Sequence, residues 1–132
     1  MERKAISPWP WADELGVVQG YEVTGAERFV FTAAQASTDD DGNVINEGDM
    51  GAQITRALDN LETVLAEANM TLANVIVLNY FSMDCDAFMA CYETHIGPRL
   101  RAAGCRPAGM LMGAPRMGFP GLLMEVQATA VA

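Results

Sequence analysis

Positive charge is scarce in this chain. Only eight of its 132 residues are Lys or Arg, against 17 Asp and Glu, and the formal net charge is -9. The cations, Arg3, Lys4, Arg28, Arg56, Arg99, Arg101, Arg106 and Arg116, are scattered rather than gathered into a stripe. An acidic surface repels phosphate backbones, so nucleic acid is not an expected partner. Long apolar runs are missing too: none approaches the roughly 18 residues needed to span a bilayer, so no membrane partner is expected. The opening stretch MERKAISPWPWADE lacks the apolar core of a secretory signal. Cysteine is sparse: Cys85, Cys91 and Cys105 are odd in number and irregularly spaced. That argues for reduced thiols and a cytoplasmic location rather than a disulfide scaffold. His95 is the only histidine, so any Ser/His or Cys/His catalysis must use it.

What is present suits a folded domain. Hydrophobic residues make up 51% of the chain, and the length matches one domain with a real core, here residues 1–132. Residues 1–14, rich in Pro and Trp, read as an irregular arm. Val17 to Val23 and Phe29 to Ala34 are short β-rich runs joined by Thr24-Gly25-Ala26-Glu27, the pattern of a hairpin. Residues 37–48 form a polar loop. Ile54, Leu58, Leu61, Val64 and Leu65 recur at helical spacing and predict a helix from about Met50 to Ala68.

The run VIVLNYF, Val75 to Phe81, predicts a strand covered on both faces. Asp84 or Asp86 can cap a second helix from about Ala87 to Ile96, which Gly97-Pro98 interrupts before a last turn to Ala103. Strands are expected near Gly109 to Gly113 and Leu122 to Val131. The order defines an α+β fold, a mixed β-sheet with two helices packed on one face. Two helices leave the other face bare, and its apolar strand residues predict cover by oligomerisation.

Few motifs carry metal chemistry. Asp39-Asp40-Asp41-Gly42 suggests a calcium loop, but the twelve-residue register puts Ser37 first and Gly48 last, so a solvated turn is expected. Cys91 and His95 share a helix face, yet two ligands make no zinc site. No metal and no cofactor is expected. His95 suits the capping of a helix end. Met110, Met112, Met117 and Met124 crowd the C-terminal third, as soft core filling or as an adaptable apolar pocket. Glu125 stands out, a lone acid among Leu123, Met124 and Val126, costly to bury unless paired or useful. On a strand it shares a face with Gln127.

Several of these segments together resemble the RidA/YjgF family. Phe29 to Gln35 is similar to the family's strand ending in Ser-Gly-Gln, and Gln53, Arg56, Leu58, Asn60 and Leu61 keep the spacing of its first helix. Asp84 to Tyr92 resembles the start of its second helix, and Arg106 to Ala132 its closing strand pair. The resemblance implies a chorismate-mutase-like homotrimer, with a central barrel of strands and outer helices. It also implies a small-molecule ligand and cofactor-free hydrolysis of reactive imines or enamines such as 2-aminoacrylate. In the family an arginine grips the substrate carboxylate and a glutamate manages water and protons.

Carried over by position, the glutamate is Glu125, the catalytic candidate. The remaining pocket positions fall on Val17, Ala33, Tyr92, Gly109 and Leu111, with Gly109 where the arginine stands. Arg106 and Arg116 are possible replacements, Arg116 from a loop. Without the arginine, 2-aminoacrylate is a poor expected substrate, and Gly109→Arg tests the alignment, since a gain of imine hydrolysis would support the assigned register. Two functions follow: an imine or enamine hydrolase acting on an apolar molecule through Glu125, or a non-catalytic ligand-binding or assembly trimer.

Overall fold

The computed structural model describes residues 1–132. Strand β1 (Glu2–Ile6) leads into the four-residue helix α1 (Trp11–Glu14), followed by β2 (Gly20–Thr24) and β3 (Phe29–Phe31). Helix α2 (Met50–Glu67) and a 3-10 turn (Leu72–Asn74) precede β4 (Val75–Ser82). Helices α3 (Cys85–His95) and α4 (Gly97–Ala102) then lead to β5 (Ala108–Gly113) and β6 (Met124–Val131).

The main sheet has the order β3-β6-β4-β5, and β1 and β2 form a separate two-stranded sheet. Strands β4 and β5 run parallel while β6 is antiparallel to both β3 and β4, so the sheet is mixed. Asp49 caps α2 by accepting the Ala52 N–H, and Asp84 caps α3 by accepting the Ala87 N–H, each at 3.0 Å. Of the two acids offered by the sequence, Asp84 is therefore the cap. Pro98 sits in the first turn of α4, where a missing N–H costs nothing. No helix is long and apolar enough to cross a membrane.

Two expectations from the N-terminal third need correction. Residues 1–14 are not an irregular arm: Glu2–Ile6 pairs antiparallel with Gly20–Thr24, and Trp11–Glu14 is helical. Every residue of β1 is exposed, so no burial period marks it in the sequence. The expected hairpin of residues 17–34 also does not form. Strand β2 pairs with β1, and β3 pairs with β6. The reason is competition for backbone groups. The N–H groups of Glu27 and Arg28 both donate to the Ala132 carbonyl at 2.9 Å, tying β3 to the C-terminus.

The core lies between the sheet and its helices. Ile54, Leu58, Leu61 and Leu65 of α2 and Phe88 of α3 meet Leu78 and Tyr80 of β4 and Met124, Val126, Ala128 and Ala130 of β6. Strand β6 alternates from Met124 to Ala130, and Glu125 and Gln127 occupy the helix-free face. Cross-strand neighbours there are Met112, Phe81 and Glu125 in one row and Met110, Asn79 and Gln127 in the next. Phe29, Phe31, Met110 and Met112 stand exposed, with the two phenylalanine rings stacked at 6.4 Å.

The polar residues of the α2 pattern hold the flanking loops. Gln53 is fully buried; its Nε2 donates to the carbonyls of Asn46 and Gly121, and its Oε1 accepts the Leu123 N–H. Arg56 donates to the Thr38 carbonyl, and Asn60 to those of Ala36 and Thr38. The acidic run is a turn: the Asp39 carboxylate accepts the N–H groups of Asp41 and Asn43, and the Asn43 hydrogen bonds hold its carboxyl below the usual range.

Candidate active site

An apolar cleft of about 300 Å3 opens between α1, α3 and β5, the edge strand of the main sheet. Its outer wall is Trp11 and Leu15; Phe88, Met89 and Tyr92 come from α3, and Leu78 and Tyr80 from β4. Val17, Gly109, Met110 and Leu111 complete the parts used below, and no charged side chain lines it. Four sequence candidates, Val17, Tyr92, Gly109 and Leu111, thus meet in one place. Tyr92 donates to the Leu15 carbonyl at 3.4 Å, and burial pushes its hydroxyl above the ordinary tyrosine range.

Within one protomer the other candidates lie elsewhere. Ala33 is exposed after β3, and its carbonyl accepts from the Gln35 side chain. Arg116 is exposed in the loop before β6 and makes no ion pair. Glu125, half-buried on the helix-free face, accepts the Gly118 N–H at 3.3 Å. Arg106 does not replace the missing arginine: its guanidinium is used by Asp13 at 2.8 Å and the Val17 carbonyl at 3.3 Å, outside the cleft. It braces the segment that carries the outer wall.

Gly109 has a specific backbone role. Its φ is +140°, and a Cβ built there would lie 1.8 Å from the Leu78 carbonyl oxygen. A side chain of any kind, the family's arginine included, does not fit this backbone. Gly109→Arg therefore cannot test the register by a gain of activity, because the substitution disturbs this backbone first.

Sequence reasoning missed Tyr80, Phe88 and Met89 as site residues. Tyr80 was embedded in the buried-strand run, where its one legible signal was a hydroxyl among apolar neighbours. Its ring tilts against Phe88 at 5.1 Å, and burial pushes its hydroxyl well above the usual range. Cys105, deeper in the core, is likewise pushed up to about 11 by burial, so its thiol stays protonated at neutral pH. His95 faces Thr55 Oγ1 through Nδ1 at 3.1 Å and packs its ring on Gly51, where a Cβ would lie 2.4 Å from Nε2. It is placed to join α3 to α2 and is not part of the cleft lining.

The sequence model of the family described as Endoribonuclease L-PSP matches residues 13–132. Among solved structures, the chain is similar to YyfB, of the Rid protein family, from Yersinia pestis. That match has 25% identity and a TM-score of 0.83 over 100% of both chains. Rv2704 of Mycobacterium tuberculosis, described as a member of the YjgF/YER057c/UK114 family, matches at 24% identity and TM-score 0.63, over 99% of this chain and 100% of that one. E. coli TdcF, described with bound serine, matches at 22% identity and TM-score 0.70, over 97% of this chain and 91% of that one. No curated protein matches the chain in sequence. With the α+β fold and the matched span together, the chain belongs to the RidA/YjgF family.

Proposed function

We propose that this protein is a homotrimeric, cofactor-free member of its family that binds an uncharged, largely apolar small molecule. One observation carries the reading: the positions answering to the family's polar pocket, Val17, Tyr92, Gly109 and Leu111, line a cleft without a charged side chain. An ion entering it loses hydration worth roughly several kcal/mol and meets no counter-charge. An apolar ligand gains about 25 cal/mol for each Å2 it removes from water. Trimer formation accounts for the exposed Phe29, Phe31, Met110 and Met112, which a partner's strands would cover. Sedimentation is expected to give three times the 14.2 kDa protomer mass. In methyl NMR, Met89 and Met110 are expected to shift with butyrophenone and not with pyruvate. The reverse order would overturn the reading.

Imine or enamine hydrolysis is a second reading, favoured by the half-buried Glu125 with its single N–H donor. In a trimer, a neighbouring subunit would bring this carboxylate to the cleft. Glu125 would then take a proton from water as the water oxygen bonds to the imine carbon and the nitrogen is protonated. Cleavage of the C–N bond releases ammonia and leaves a carbonyl, and the carboxylate is restored. On an apolar imine, Glu125→Gln is expected to lower kcat by about a hundredfold or more. Full turnover in that variant would remove Glu125 from the chemistry. Ribonuclease activity, named in the family model's description, finds no support in a cleft without cations and a single histidine packed on Gly51.

A further inference from the structure

One residue of the cleft lining, Tyr80, carries a hydroxyl that nothing in the protein satisfies. Tyr80 is 6% exposed, and its hydroxyl oxygen is sealed from solvent with no hydrogen-bond partner. The other polar side chains of the lining are provided for: Tyr92 donates to the Leu15 carbonyl, and Gln19 is exposed to water. An unpaired buried hydroxyl lowers stability, whereas phenylalanine would fill the same space without that penalty.

We infer that the ligand of this cleft is an uncharged apolar molecule bearing one hydrogen-bond acceptor, a carbonyl oxygen or an imine nitrogen, which accepts from the Tyr80 hydroxyl. The inference rests on the apolar-ligand reading of the cleft and narrows it to a chemical class. A neutral phenol is a good donor, and burial keeps this one un-ionised. In apolar surroundings that donor rewards a ligand with a matching acceptor. The neighbouring Phe88 ring adds an aromatic surface.

Access is through the outer wall. Trp11 and Leu15 are 59% and 46% exposed; Trp11 opens and Leu15 ends a helix of only four residues. That segment is held by the exposed Arg106–Asp13 pair, by the Tyr92 hydroxyl on the Leu15 carbonyl and by one buried side chain, Ala12. With exposed polar ties and a single buried side chain, this wall yields before α3 or β4 does.

The test compares butyrophenone with butylbenzene, which share a shape and differ at the carbonyl. Binding to the full chain and to Tyr80→Phe is followed through the methyl signals of Met89 and Met110, two residues of the lining. Tyr80→Phe is expected to weaken butyrophenone roughly fivefold to tenfold and to leave butylbenzene unchanged or slightly tighter. Its melting temperature is expected to equal or exceed that of the parent, so misfolding does not confuse the result. If both compounds bind and the substitution alters neither, Tyr80 is no anchor and the inference falls while the apolar cleft stands. If neither compound moves Met89 or Met110, the ligand-binding reading and this inference fall together.

Discussion

Replacing Gly109 with alanine or arginine is expected to destabilise the protein by about 3–5 kcal/mol, read as a lower urea midpoint. Two costs add. At φ +140° an L-residue is strained whatever the space around it. The new Cβ would also meet the Leu78 carbonyl oxygen at 1.8 Å, and that oxygen belongs to β4 in the middle of the sheet. Relief requires moving β4 or opening the β4–β5 ladder. Alanine should therefore cost nearly as much as arginine, because the damage comes from the first carbon rather than the charge. Imine hydrolysis is not expected to appear in Gly109→Arg. A stable arginine variant with new activity would mean that β5 adopts a different backbone, and the cleft would need to be redrawn.

Gln53→Ala is expected to cost about 3–5 kcal/mol as well, through orphaned polar groups. Its side chain serves two carbonyls, those of Asn46 at 3.2 Å and Gly121 at 2.9 Å, and one amide, Leu123 at 2.8 Å. The Gln53 side chain is fully buried and all three bonds are partly buried, joining α2 to the loop before it and to the segment entering β6. The substitution should speed hydrogen exchange at the Leu123 amide and loosen the Gly118–Glu125 contact made by the same loop. Gln53→Leu separates volume from bonding: it refills the space and is expected to remain nearly as destabilised. A loss below about 1 kcal/mol in both variants would mean that water replaces the amide.

These two positions show different degrees of legibility. The Gln53, Arg56 and Asn60 spacing is visible in the sequence as part of a family-like helix, and its meaning is structural: one helix face holds two loops. Gly109 is visible as a departure from a pattern, but its cause is a backbone angle and the nearness of β4. Helix α2 was readable because its apolar residues repeat at helical spacing, α3 from its Asp cap and the Gly97-Pro98 interruption, and β4 because it is a continuous β-branched and aromatic run. Strand β1 was not, because its five residues are all exposed. Tyr80 lay in a continuous run whose composition marked only burial.

By itself, the sequence determined the acidic character, the α+β order of elements, the family resemblance and the alternation that sends Glu125 away from the helices. These follow from composition and from periods within single segments. Only the tertiary structure decided that β2 joins β1, that Val17, Tyr92, Gly109 and Leu111 share one cleft, and that Glu125 stands outside it within the protomer. It also decided that the Tyr80 hydroxyl has no partner. Pairing, enclosure and satisfaction of a polar group depend on atoms distant in the chain, and no local period encodes them.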